Sequence, residues 1–175
     1  MKVGIICAQG LEECEALVVY DLLFRAKIDV KLVGVNKEIT SSHNLTFIPH
    51  LTIEEFDYEN YDCIVLPGGM PGTINLEANQ KVQEIIDYFV KENKYIAAIC
   101  AAPSILIHKG LLKDNKFICF PGHENGLTPA NVKAITDDRF ITGKGMGAAI
   151  EFSYEIIKAL DSEETAKEVL SKIQY

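Results

Sequence analysis

An α/β fold, built on a mostly parallel central sheet covered by helices, is what the sequence predicts, and three observations predict it. Short apolar runs alternate with longer stretches of helical period. Two of the runs, Ile64-Val65-Leu66 and Ile96-Ala97-Ala98-Ile99, are apolar without alternation, as strands buried on both faces are. Small or glycine-rich turns follow the strand candidates, which is where open α/β sheets place their ligand sites.

In chain order, Val3 to Ala8 reads as the first strand, Glu13 to Lys27 as a helix and Val30 to Val35 as the second strand. Cys63 to Leu66 is a strand followed by a helix over Asn79 to Lys91, and Ile96 to Ile99 is a strand expected at the centre of the sheet. Pro103, suited to a first helical position, starts a helix to about His108. A strand is expected near Lys116 to Cys119, then a hairpin-like pair near Val132 to Ile135 and Phe140 to Thr142. Two helices close the chain, Met146 to Leu160 and Glu163 to Ile173, with Asp161-Ser162 as the cap between them.

A chain of 175 residues, 48% of them hydrophobic, fits one compact domain over residues 1–175. Its net charge of -8 argues against nucleic acid or an anionic membrane as partner, since both need clustered positive charge. The apolar run after Met1-Lys2 is too short to span a membrane and lacks a cleavage site, which points to a cytoplasmic protein. Five cysteines without a C-x-x-C pair suggest neither a zinc site nor a complete disulfide framework. The four histidines show no metal-ligand spacing, so no metal is expected, and surface positions are their default.

Three turns draw attention: Gln9-Gly10-Leu11-Glu12-Glu13, Pro67-Gly68-Gly69-Met70-Pro71-Gly72 and Cys100-Ala101-Ala102-Pro103. The last follows a strand, carries a nucleophile between small residues and ends in a helix-starting proline, which is the pattern of a nucleophile elbow. There the amide of Ala101 points toward a developing oxyanion, and Gly68-Gly69 offers a second donor. An ordinary cysteine is only a few per cent thiolate at neutral pH, so Cys100 needs activation; the helix start after it pushes that way, and a protonated Glu15 could hydrogen-bond the sulfur. The alternatives stay open at this level. A cysteine closing an apolar strand is often a core residue, as Cys7, Cys63 and Cys119 are expected to be, and Glu15 could simply complement a helix dipole. Cys14 reads as a helix-face residue. The Gly143-Lys144-Gly145-Met146-Gly147 run reads as close helix-sheet packing, and Pro67 to Gly72 lacks the Gly-Lys-Ser/Thr of a phosphate loop.

Together, Gly10-Leu11-Glu12-Glu13-Cys14-Glu15, Leu66-Pro67-Gly68-Gly69, Ala97 to Pro103 and Thr142 to Gly147 with Glu151-Phe152 resemble the ThiJ/PfpI superfamily, within it the branch of the Parkinson-associated deglycase and YajL. The resemblance implies a flavodoxin-like three-layer sandwich of the class I glutamine amidotransferase type, forming a homodimer. It implies Cys100 as nucleophilic or oxidisable thiol, Glu15 as its protonated neighbour and the amides of Gly69 and Ala101 as oxyanion donors, with no cofactor. The activities it implies are a glyoxalase making lactate from methylglyoxal, a deglycase of glycated amines, or an oxidation-sensing stress protein. Ala101 stands where the related protease branch has histidine, which speaks against proteolysis. Phe120 stands where the Parkinson-associated protein has a histidine, leaving His123 as a substitute to watch. His43 stands where that protein has an arginine reaching across the dimer toward the site.

Overall fold

The computed structural model describes residues 1–175. Nine strands form: β1 (Lys2–Cys7), β2 (Asp29–Gly34), β3 (Ile39–Thr40), β4 (Thr46–Phe47), β5 (Leu51–Thr52), β6 (Cys63–Leu66), β7 (Tyr95–Ile99), β8 (Ala134–Asp137) and β9 (Phe140–Gly143). Six α-helices accompany them: α1 (Glu13–Arg25), α2 (Gly72–Ala78), α3 (Gln80–Lys91), α4 (Pro103–His108), α5 (Ala149–Leu160) and α6 (Glu163–Lys172). Seven strands make one sheet in the order β5-β2-β1-β6-β7-β9-β8, parallel throughout except for β8, which runs antiparallel to β9. The two remaining strands pair as a small separate hairpin.

The uninterrupted apolar strands are explained by a core on each face of the sheet. Val3, Ile5, Cys63, Val65, Ala97 and Ile99 point to one side, where Val19 of α1, Phe152 and Ile156 of α5 and Val169 of α6 cover them. Ile6, Ile64, Leu66, Ile96 and Ala98 point to the other, beneath Leu76 of α2, Ile85 and Phe89 of α3 and Ile105 of α4. Alternate residues thus serve opposite cores, and the result is the three-layer, flavodoxin-like arrangement expected. Phe89 is fully buried in the second layer, so Phe89→Ala is expected to lower unfolding free energy by roughly 3–5 kcal/mol, read by denaturant titration.

Two boundaries shift for local reasons. Asn79 caps α3 instead of beginning it, its side chain accepting the Val82 N–H at 3.1 Å. Met146–Ala148 forms a 3-10 turn, and the α-helix starts only at Ala149. The start of α6 is as expected, Ser162 capping it by accepting the Thr165 N–H at 3.1 Å.

The strand expected near Lys116 to Cys119 does not form. The edge of β9 that it would join is occupied by β8, so its backbone is held by side chains: Lys116 N–H donates to Asp137 at 2.7 Å and Ile118 N–H to the Thr142 hydroxyl at 3.0 Å. Cys119 is buried as expected, but in this irregular segment. Helix α2 and the short strands β3, β4 and β5 were not foreshadowed by periodicity, since each is too short to establish one.

Candidate active site

Parallel pairing of β1, β6 and β7 brings the residues that follow each of them to the same end of the sheet. The loops are tied together there: Glu12 N–H donates to Gly68 O at 2.9 Å and Gly72 N–H to Gly10 O at 3.0 Å. At the end of β7 the chain turns sharply, and Cys100 takes φ 64°, a left-handed conformation uncommon for a residue with a side chain. Two hydrogen bonds hold it there. Cys100 N–H donates to Gly143 O at 2.9 Å, and Phe120 N–H donates to Cys100 O at 2.8 Å. The half-buried thiol is therefore presented by an elbow with its backbone pinned on both sides.

The amides of Gly69 and Ala101 both interact with the sulfur and favour its anionic form. Gly69 reaches this position because it has no side chain: at φ +85° a Cβ there would lie 2.2 Å from the Glu12 nitrogen. Gly68 is equally constrained, since a Cβ would lie 2.7 Å from Cys100 Cβ and 2.8 Å from Glu15 Oε2. The same two distances place the cysteine and the carboxyl side by side.

Glu15, in the first turn of α1, is fully buried. Its Oε2 accepts the Gly68 N–H at 2.8 Å, while Oε1 has no directed hydrogen-bond partner. Burial pushes the carboxyl up to about 7, against the pull of Cys100 and the Gly68 amide. Burial first, and then the Glu15 carboxylate, pushes the thiol up to about 12, opposed by the two amides. An acidic thiol created by the helix start alone is thus not what the structure holds, and α4 is only 6 residues long. The groups form a pair in which a proton on Glu15 removes the negative charge facing the sulfur and supplies a donor to it.

A stability prediction follows with a definite sign. Glu15 binds its proton more tightly folded than unfolded, so its contribution is fully present below about pH 4.5 and is lost as pH rises through about 7. Glu15→Gln cannot ionise, so the stability of wild type relative to this variant is expected to fall by roughly 3 kcal/mol between pH 4.5 and 8, read by denaturant titration across that range. A constant difference would contradict the assignment.

All four residues singled out by sequence, Cys100, Glu15, Gly69 and Ala101, thus meet in one place. The histidines do not join them. His43 is exposed and pairs within its own chain with Glu13 at 3.1 Å and Glu12 at 3.6 Å; the Glu13 hydrogen bond, then the two charges, raise its pKa. These three side chains are the one set whose geometry could hold a metal ion, but they satisfy one another on the surface. His123 packs edge-on against Phe120, with ring centroids 6.3 Å apart, and hydrogen-bonds neither Cys100 nor Glu15.

Sequence reasoning missed the floor and wall beside the thiol. A Cβ at Gly145 would lie 3.9 Å from Cys100 Sγ and 3.4 Å from Phe120. From there an open hollow of about 520 Å³ extends past Phe120, Met146 and Lys144. The glycine-rich run after β9 was the available signal; its packing role is borne out by Gly143, whose Cβ would meet Ile99 and Phe152 at about 3 Å, but not its proximity to the thiol.

Comparison with known proteins bears on this geometry. The sequence profile of the DJ-1/PfpI family matches residues 1–159. Protein DJ-1 homolog B of Arabidopsis thaliana is 32% identical over 157 residues, 86% of this chain and 36% of that protein, so the chain spans about a third of that relative's length. Glutathione-independent glyoxalase DJR-1.2 of Caenorhabditis elegans is 29% identical over 94% of this chain and 91% of its own. Among solved structures, oxidized Toxoplasma gondii DJ-1 superposes with a TM-score of 0.95 at 29% identity, covering 99% of this chain and 98% of that one.

Proposed function

The chain belongs to the DJ-1/PfpI family, and from that premise we propose that it is a cysteine-dependent, cofactor-free enzyme of the glyoxalase and deglycase type, acting on methylglyoxal or glycated amines. The observation that carries this reading is the pairing of Cys100, on its elbow beside two amides, with a buried Glu15 whose Oε1 has no directed partner. A relative of similar length named a glutathione-independent glyoxalase supports it.

With the pair's proton on Glu15, the Cys100 thiolate adds to the aldehyde carbon of methylglyoxal, and the amides of Gly69 and Ala101 bind the resulting oxyanion. Proton transfer from Glu15 gives a neutral hemithioacetal. The Glu15 carboxylate then removes the hydrogen from the former aldehyde carbon, giving an enediolate, and returns it to the adjacent carbon as the hydroxyl proton passes from the former aldehyde oxygen to the former ketone oxygen. The product of that shift is a lactyl thioester on Cys100. Water cleaves it, releasing lactate and restoring the thiol. On a glycated amine, the thiolate displaces nitrogen from the carbinol carbon while Glu15 protonates the leaving amine, so both reactions enter through the same hemithioacetal.

The test is lactate production from methylglyoxal by purified protein, with trace-metal controls, beside Glu15→Gln. A general acid and base is worth typically 10²–10⁴-fold, so a loss of about a hundredfold or more is expected in the variant. Undiminished turnover would remove Glu15 from the mechanism.

One observation favours a second reading, an oxidative-stress sensor. A sulfinic acid formed from Cys100 by two equivalents of peroxide would place oxygens among the same amides and the unsatisfied Oε1 of Glu15. The Toxoplasma gondii relative was solved in an oxidized form. This reading expects a mass gain of two oxygens at Cys100 under mild peroxide without sustained dicarbonyl consumption.

A cytoplasmic, homodimeric protein acting as one domain completes the proposal. No helix is long and apolar enough to cross a membrane. Leu17 and Val18 of α1, with Ile150 and Ile173, line an apolar groove of about 410 Å³ that a second copy could cover, whereas Leu22 is already buried in its own core.

A further inference from the structure

The hollow beside the thiol differs in character from the rest of this acidic molecule. Its walls are apolar where Phe120 and Met146 stand half-exposed, and its charged members are Lys133 and Lys144; no acidic side chain lines it. In a chain of net charge -8 this is a cationic recess. The two lysines are tied together through the backbone, Lys144 N–H donating to Lys133 O at 2.9 Å.

Their charges are not equivalent. Lys133 is paired with Glu151, which also accepts from the Tyr175 hydroxyl, so its charge is neutralised locally. Lys144 has no carboxylate partner and no side-chain hydrogen bond, and is exposed. It is held in register with the site because the next residue, Gly145, packs against the reactive group: a Cβ there would lie 3.9 Å from Cys100 Sγ. A ligand attached to the sulfur and extending along Phe120 and Met146 therefore runs toward one uncompensated positive charge.

We propose that Lys144 is a specificity-determining residue, and that the preferred substrates are 2-oxoaldehydes, or adducts derived from them, carrying a carboxylate beyond a short apolar stretch. One free cation matches a monoanion better than a doubly charged phosphate. Methylglyoxal reaches the thiol but leaves this recess empty. The inference rests on the proposed reaction only in naming a carbonyl; the preference for an anion stands on the recess itself.

Two paired measurements test it. In the first, Cys100 is alkylated with iodoacetate or iodoacetamide, the rates are read by peptide mass, and the ratio of anionic to neutral reagent is compared between wild type and Lys144→Gln. The ratio cancels any change in thiolate fraction. Removing a partly exposed ion pair is expected to lower it roughly threefold to fivefold, with Lys144→Arg retaining most of it and added salt eroding the wild-type value. In the second, kcat/KM for 4-carboxyphenylglyoxal relative to phenylglyoxal is expected to fall by a similar factor in Lys144→Gln, chiefly through KM. Ratios unchanged by the substitution overturn the proposal. Should wild type consume methylglyoxal but neither arylglyoxal, the extended substrate class is overturned; should it consume no dicarbonyl at all, the proposed reaction fails, and the alkylation ratio alone then upholds or overturns the anion preference.

Discussion

Cys100→Ser is expected to reduce lactate formation from methylglyoxal to the uncatalysed background, a loss of at least roughly a thousandfold, while the protein still folds. Oxygen replaces sulfur in the same elbow, and the bonds that hold the elbow, Gly143 O to the Cys100 amide and Phe120 N–H to the Cys100 carbonyl, involve only backbone. A hydroxyl among the same amides keeps its proton at any pH the protein tolerates, so the attacking anion is absent. The decisive comparison is turnover against unfolding free energy: activity gone with stability changed by less than about 1 kcal/mol assigns the chemistry to the thiol. Full activity in this variant would sink the cysteine-dependent mechanism. Loss of turnover together with collapse of the fold would point to the substitution's structural effect, and the peroxide mass experiment on wild type would then decide between enzyme and sensor.

The second large effect is expected from Gly69→Ala, and it acts on two properties at once. A methyl group there would lie 2.2 Å from the Glu12 nitrogen and 2.6 Å from the Leu11 carbonyl carbon, both backbone atoms of the loop that starts α1. Neither can swing aside as a side chain would. Together with the unfavourable φ of +85°, this overpacking should lower stability by roughly 2–4 kcal/mol. Whatever movement relieves the clash carries the Gly69 amide and the first turn bearing Glu15 away from Cys100. Loss of one oxyanion donor alone is worth about 10²–10³ in kcat, so activity should fall by at least that factor. Gly147→Ala serves as the contrast in stability measurements, because nothing lies within 4 Å of its Cβ position.

Much of this arrangement was legible in the sequence because parallel α/β architecture makes order along the chain into position in space. Apolar runs gave β1, β2, β6 and β7, and the rule that sites lie beyond the carboxyl ends of such strands directed attention to Cys100, Gly69 and Ala101. Glu15 was legible as a first-turn acid able to reach the thiol; its burial, which sets its protonation, depends on Gly68 and Cys100 arriving from distant segments. The segment from Lys116 to Cys119 misled because its apolar residues are needed for burial but not for pairing, the edge of β9 already belonging to β8. The activation of the thiol misled for a related reason. The sequence placed a protonated Glu15 beside the sulfur, 85 positions earlier in the chain (100 against 15), but a local argument from the helix that follows Cys100 could not include the burial that pushes the thiol up.

The way the elbow is held gives the reactivity of Cys100 a cooperative origin. Its surroundings are drawn from α1, from the turn after β6, from Phe120 and from the residues after β9, and no two neighbouring segments suffice to build them. Until the sheet has closed around β7, a nascent or unfolded chain carries an ordinary, fully hydrated cysteine with neither the carboxyl nor the amides to tune it. Topologies so dependent on contacts distant in sequence fold comparatively slowly, and the surroundings of the thiol are built from such contacts. The environment of this one sulfur is thus a property of contacts distant in sequence, present only where the segments around β7 are assembled.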